Sequence, residues 1–175
     1  MKPVAVIQSI VIMGVSGSGK STIGLALARR TDSEFIEADQ LHPASNVAKM
    51  AAGQPLTDQE RLPWLRLVGQ RMVGSTSLNR RTVVACSALK RSYRNILREY
   101  SPDAFFVCLD ATPAFIQSRV DARKHEFMPP SLLASQFAIL EPFDDRERGV
   151  TISADSNPDR IVERILTQVK WSGNV

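Results

Sequence analysis

Cysteine, histidine, tryptophan and tyrosine each occur only twice in the 175 residues. Cys86 and Cys108 each sit inside an apolar run and lack the spacing of a metal site, and two cysteines make no disulfide framework. Both are expected in the core, where free cysteine is commonly found. Apolar stretches run to about five to seven residues, far short of the ~20 that span a bilayer. Met1-Lys2-Pro3-Val4-Ala5 leads directly into a strand-like run, without the apolar segment and small-residue cleavage site of a secretory signal. Cytoplasm is therefore the expected location, with no membrane partner. A basic stripe interleaved with aromatics is also missing, so the formal charge of +4 does not argue for nucleic acid. It suits a small anionic ligand instead. Internal repeats, low-complexity tracts and interdomain linkers are absent, which leaves one domain over residues 1–175.

What is present is an alternation of short apolar runs with longer helical patterns, the pattern of an α/β fold with a parallel sheet. Strands are expected at Ser9–Met13, Phe35–Glu37, Thr82–Cys86, Phe105–Leu109 and Val150–Ser153. Several are apolar almost throughout, as strands covered on both faces must be. Thr112-Pro113 and Asn157-Pro158 each read as an N-cap followed by proline at the first helical position. After the second, Ile161, Val162, Ile165, Leu166 and Val169 recur at helical spacing. Thr57-x-x-Glu60 fits a capping box ahead of Leu62, Leu65 and Val68, while Pro63 allows the helix proper to begin there instead.

The most informative segment is Gly14-Val15-Ser16-Gly17-Ser18-Gly19-Lys20-Ser21, which matches G-x-x-x-x-G-K-[ST] at every fixed position. A strand ending at Met13 precedes it, and a helix from Ile23 to Arg30 follows. Glycines let backbone N–H groups approach phosphate oxygens, and the helix N-terminus favours negative charge. The ligating stretch runs from Gly14 to Thr22. Lys20 is expected to reach the β and γ phosphates of ATP, and the Ser21 hydroxyl to ligate Mg²⁺.

A GTPase would carry D-x-x-G and N-K-x-D segments, and neither occurs. A motor or AAA-type ATPase would end an apolar strand with an acidic pair, whereas Val83-Val84-Ala85-Cys86-Ser87 ends without a carboxylate. A phosphotransferase is favoured. Alternation along the second strand is expected to put Glu37 and Asp39 on one side at its carboxyl end, where ligands bind in open parallel sheets. One carboxylate could hold Mg²⁺ through water, and the other could orient and deprotonate an acceptor hydroxyl.

From about residue 9 to 142 the chain resembles the gluconate kinase (gluconokinase) family of P-loop kinases. The matching segments are Asp39-Gln40-Leu41-His42-Pro43, Asn46-Val47-Ala48-Lys49-Met50, Gly53-Gln54-Pro55-Leu56-Thr57-Asp58 and Arg61-Leu62-Pro63-Trp64-Leu65. Cys86-Ser87-Ala88-Leu89-Lys90, Tyr93-Arg94, Arg119-x-x-x-Arg123, Phe127-Met128-Pro129, Leu132-Leu133-Ala134-Ser135-Gln136-Phe137 and Leu140-Glu141 follow in order. The resemblance implies a three-layer, nucleoside-monophosphate-kinase-like fold with a five-stranded parallel sheet. It also implies an acceptor-binding region at about residues 40–70 and a lid at about 119–137. The implied activity is transfer of the ATP γ-phosphoryl group to the 6-hydroxyl of D-gluconate, in a homodimer. Other small acceptors such as shikimate or a nucleoside monophosphate, and a non-catalytic nucleotide switch, are the rival readings.

The chain departs from the family at three points. Glu37-Ala38-Asp39 stands where Asp-Gly-Asp or Asp-Ala-Asp is common, His125-Glu126-Phe127 replaces Gly-His-Phe, and Asn95 stands where Asp is usual. A polyhydroxylated anion needs a cation and several hydrogen-bonding groups. Asp39, His42, Asn46, Lys49, Arg61, Lys90, Tyr93 and Arg94 are the candidates on the acceptor side, with Trp64 expected in packing. Arg119 and Arg123, four apart on one helix face, are expected to meet ATP from the lid. Lys124–Ser131 is expected to be a loop. The catalytic set is Lys20, Asp39 and Arg123; the metal set is Ser21 and Glu37.

Overall fold

The computed structural model describes residues 7–78, 80–122 and 130–169, with no account of side chains at 120–122, 130 and 131. Five strands alternate with seven helices: β1 Ser9–Met13, α1 Lys20–Arg30, β2 Glu34–Glu37, α2 Ala44–Ala51, α3 Asp58–Thr76, β3 Thr82–Ala85 and α4 Arg91–Tyr100. The chain continues with β4 Phe105–Asp110, α5 Pro113–Ala122, α6 Pro130–Ile139, β5 Gly149–Ser153 and α7 Pro158–Gln168. The strands form one parallel sheet in the order β2-β3-β1-β4-β5. The five expected strands are all present, with ends shifted by at most one residue.

Side chains of alternate strand residues enter two separate cores. Ile10, Ile12, Val83, Val107, Leu109 and Ile152 pack with Leu27 of α1 and Ile161 and Ile165 of α7. Val11, Met13, Val84, Phe106 and Cys108 pack on the other face with Leu65, Val68 and Met72 of α3 and Leu97 of α4. The sheet is thus the middle of three layers, which is why its strands carry no polar face. Both cysteines are buried and free. Burial pushes their thiols up, Cys86 to about 12 and Cys108 to about 11.

The caps form as expected. Thr57 Oγ1 accepts the Glu60 N–H at 3.3 Å, and Glu60 Oε2 accepts the Thr57 N–H at 2.7 Å. The helix therefore starts at Asp58 rather than at Pro63, because the reciprocal cap satisfies its first donors; Pro63 lies inside it and costs the Gln59 carbonyl its usual donor. Asn157 Oδ1 accepts the Asp159 N–H at 2.8 Å, and Thr112 Oγ1 the Phe115 N–H at 3.2 Å. The expected loop Lys124–Ser131 is shortened at its far end. Pro130 and Ser131 already belong to α6, with proline at the first helical position, and residues 124–129 lie outside the described residues.

Strand order reverses about β1, whose neighbours are β3 and β4. In a doubly wound sheet this switch point opens a crevice at the carboxyl ends of the strands. The loop after β1 and the turn after β2 both lie at this edge.

Candidate active site

The loop from Gly14 to Gly19 joins β1 to α1. Gly17 and Gly19 adopt φ of 79° and 100°, a left-handed region that other residues avoid. Side chains would also not fit: a Cβ on Gly17 would stand 2.9 Å from Ile116 Cγ2, and one on Gly19 2.9 Å from Arg119 Nη1. Helix α5 therefore lies against the loop, and Arg119 reaches it. Among the described residues the Gly17 and Gly19 N–H groups have no protein acceptor. α1 has no side-chain cap, so the first-turn N–H groups of Lys20, Ser21 and Thr22 are unfilled as well. The Ser18 hydroxyl is buried without a partner. A run of unfilled donors at a helix N-terminus is a cradle for phosphate oxygens.

Lys20 Nζ donates to Val15 O at 3.0 Å. Burial lowers its pKa, against the opposing influence of Asp39 and Glu37. Glu37 is pushed up, by burial first and by the Asp39 charge, and is held back by a hydrogen bond from the Ser21 hydroxyl. Ser21 and Glu37 thus meet as two hard oxygen donors beside the cradle, a pair whose chemistry fits Mg²⁺. The reason expected for the Glu37–Asp39 juxtaposition is corrected. The strand ends at Glu37, and Asp39 sits in a 3₁₀ turn, Ala38–Leu41. The turn, held by Trp64 Nε1 donating to Ala38 O at 2.7 Å, brings Asp39 to Lys20.

The acceptor-side candidates form a chain of contacts leading away from Asp39. His42 stacks on Trp64 with ring centroids 4.0 Å apart. Burial lowers its pKa, Asp39 opposes that and Arg61 adds to it. Arg61 Nη1 donates to Leu56 O at 2.5 Å and to the Tyr93 hydroxyl at 3.3 Å. Tyr93 donates to Asp58 Oδ1 at 2.5 Å, and Lys90 Nζ reaches both Asp58 oxygens at 2.8 Å. Hydrogen bonds from Lys90 and Tyr93 pull the Asp58 carboxyl below the usual range. The Lys90 ammonium is raised in turn, first by Asp58, and the Tyr93 phenol is raised by burial and by Asp58. Asp58 is the hub of this wall, yet its residue type alone gave no reason to choose it. Only its position in Thr57-Asp58, at the first residue of the capped helix, could have pointed to it.

Three other candidates are placed differently. Asn46 is buried, with Nδ2 donating to Glu60 O at 3.0 Å and lying 3.4 Å from His42 Nδ1. Lys49 is paired with both oxygens of Glu60 at 2.8 and 2.9 Å, and with Thr57 it holds that carboxyl at about 2. Arg94 contradicts its expected role outright. It is fully buried, and all five of its donors are committed: Nε and Nη2 to Glu147 at 2.8 and 2.6 Å, Nη1 to the Leu89 and Glu141 carbonyls, and Nη2 also to Pro142 O. No donor is left for a substrate. Arg94 instead straps the segment after α6 to α4, beside Arg98, which pairs with Glu147 at 2.9 Å, and Arg91, which pairs with Asp144. Asn95, where the family often has Asp, accepts from Arg98 Nη1 at 3.2 Å. Arg123, His125 and Glu126 lie outside the described residues.

The family model for shikimate kinase matches residues 16–170. The gluconokinase of Gluconobacter oxydans (strain 621H) is 43% identical over 157 residues, covering 90% of this chain and 88% of that protein. The crystal structure of an unliganded sugar kinase from Janibacter superposes with a TM-score of 0.90 at 42% identity, covering 95% of this chain and 96% of that one. A gluconokinase from Sinorhizobium meliloti gives a TM-score of 0.83 at 43% identity, covering 91% and 90%. The shikimate-kinase model thus spans the shared kinase frame, while identity above 40% is met in proteins named as sugar kinase or gluconokinase. With its phosphate loop, five-stranded parallel sheet and acceptor wall, the chain belongs to the gluconokinase family of P-loop kinases.

Proposed function

We propose that this protein transfers the γ-phosphoryl group of ATP to the 6-hydroxyl of D-gluconate. One observation carries the reading beyond family membership. Asp39 lies within electrostatic reach of both Lys20 and His42, so a carboxylate stands where the phosphate cradle meets the acceptor wall. The gluconate hydroxyl oxygen attacks the γ-phosphorus, the bond to the β-phosphate oxygen breaks, and the hydroxyl proton passes to Asp39. Lys20, with the N–H groups of Gly17, Gly19 and the first turn of α1, holds the phosphates and offsets charge as the group transfers. Arg119 against Gly19, together with Arg123, completes the cation set from the lid at about residues 119–137. Ser21 and Glu37 would hold Mg²⁺, which supplies charge neutralisation on phosphate oxygens.

His42, Arg61, Lys90 and Tyr93 bind the polyhydroxylated anion. The bonds of Lys90 and Tyr93 to Asp58 exchange for substrate oxygens, which keeps these charges matched before gluconate arrives. Asn46 and Lys49 support the wall from behind. The reading places the enzyme in the cytoplasm as a homodimer, which sedimentation of the purified protein tests directly. ADP release with Mg²⁺-ATP and a panel of gluconate, shikimate, glycerate and AMP tests the acceptor. Gluconate should stimulate release well above the rest. Efficient use of shikimate or AMP without gluconate would overturn the acceptor assignment, and tight nucleotide binding with no stimulation by any compound would favour a switch.

A further inference from the structure

Among the described residues, one polar contact joins helix α6 to the phosphate loop. Gln136 Oε1 accepts the Ser16 N–H at 2.6 Å, across 120 residues of sequence. A peptide N–H can only donate, so chemistry fixes the carboxamide with its oxygen toward the loop. The same peptide unit is gripped from its other end. Its carbonyl, Val15 O, accepts Lys20 Nζ at 3.0 Å. Gln136 and Lys20 therefore hold opposite ends of one peptide plane.

That plane is held at its carbonyl by the Ser18 N–H as well, at 3.3 Å, so Gln136 is the contact that secures its N–H end. If the plane rotated, the Val15 carbonyl that receives Lys20 would turn away from the ammonium. In this motif the lysine is the group that reaches the β and γ phosphates. The peptide on which Lys20 rests therefore marks the terminal-phosphate end of the cradle. The N–H groups of Gly17, Gly19 and the first turn of α1 lie beyond it and do not involve Gln136.

We propose that Gln136 is a positioning residue for phosphoryl transfer: it locks the Val15–Ser16 peptide and, through it, sets Lys20 for the terminal phosphate of a nucleoside triphosphate. The proposal rests on the kinase reading of the loop but not on gluconate as acceptor.

The test measures ATP and ADP affinity by calorimetry without acceptor, and single-turnover transfer with it, for Gln136→Met and Gln136→Glu. Methionine keeps the side chain's length but is a poor acceptor; glutamate keeps an acceptor oxygen. Gln136→Met should weaken ATP about tenfold while leaving ADP within about twofold, the size of one lost hydrogen bond. It should also slow transfer by a similar factor. Gln136→Glu should recover most of the transfer rate. In a Lys20→Met background Gln136→Met should have no further effect on the ATP-to-ADP affinity ratio, because the two act through one peptide. An unchanged ratio and rate in folded Gln136→Met would reduce the contact to packing and overturn the proposal. So would tighter ATP binding, which would make Gln136 an occupant that phosphate must displace. Nucleotide affinities that respond as expected in a protein that ignores gluconate would sink the acceptor assignment and leave Gln136 standing.

Discussion

The phosphate loop and the arginine strap on α4 are both rich in hydrogen-bond donors, and they use them in opposite ways. In the loop the donors are backbone N–H groups, and among the described residues those of Gly17, Gly19 and the first turn of α1 have no acceptor. In the strap Arg94 has spent every donor on Glu147 and three carbonyls, at full burial. A binding site keeps its donors unfilled at the cost of local stability; a brace fills them. A cationic side chain close to an anion-binding crevice is thus no evidence of a ligand contact until its donors are counted. The proposed acceptor wall lies between these extremes, with Lys90 and Tyr93 bonded to an exposed Asp58 and Arg61 bonded to Tyr93.

If the comparison is right, changes in the strap cost stability and changes in the loop cost chemistry. The largest effect is expected from Glu147→Ala. It leaves the buried Arg94 without its carboxylate, at a cost of about 3–5 kcal/mol in chemical denaturation, while KM for both substrates in the folded fraction stays near wild type. A loss below about 1 kcal/mol would show that the strap is no brace. The same pair makes stability pH-dependent. Burial alone would raise the Glu147 carboxyl, but Arg94 and Arg98 hold it at about 2, below the ordinary 4.5. Its contribution is full above about 4.5 and is lost as pH falls toward 2, since the unfolded chain then binds the proton first. Denaturation midpoints should drop across that window and drop less in Glu147→Gln.

On the loop side, Lys20→Ala should lower turnover by roughly 10²-fold or more with an unchanged melting temperature. Near-normal activity would remove this loop from the active site. Next in size is Asp39→Asn, which keeps the shape and hydrogen bonding of the side chain but not its basicity. A fall of roughly 10²-fold in single-turnover transfer is expected, with calorimetric ATP affinity little changed. A wild-type rate would leave Asp39 as a residue that orients the hydroxyl only. Arg123→Ala should lower turnover more than it weakens ATP. If the Arg119→Ala, Arg123→Ala double variant keeps wild-type kinetics, both arginines are ordinary surface charges. The smallest effect is reserved for the wall between loop and strap. Asp58→Asn weakens the pairs that gluconate must displace and should lower its KM by up to about tenfold, leaving that for ATP alone. An equal change in both would place Asp58 in the scaffold.

The frame was legible because its determinants are local. Apolar runs of strand length, the Thr57–Glu60 cap, Asn157-Pro158 and the glycine-lysine-serine loop each act within a few residues, and all formed where expected. The site was legible only in part, because its pairing is not local. Asp39 was chosen by strand alternation, and it reaches Lys20 instead through a 3₁₀ turn whose anchor, Trp64, lies 26 residues away. Arg94 looked like an anion ligand because Glu147, its partner 53 residues on, carries no sequence sign of the pairing. Gln136 was visible within a family-like segment, but nothing local says that its carboxamide meets Ser16.

The order of the sheet also shapes how the protein is made. β1 is the central strand, yet its partners are β3, beginning at Thr82, and β4, beginning at Phe105. At ~5–20 residues per second a ribosome takes roughly 3–14 s to synthesise the residues between Met13 and Thr82. Throughout that interval Ser-Ile-Val-Ile-Met, fully buried in the finished molecule, has no strand to pair with. Short β-prone segments of low charge are the ones that recruit other chains when exposed. The strand that later carries the phosphate loop is thus a segment that waits unpaired longer than any other part of the sheet's centre.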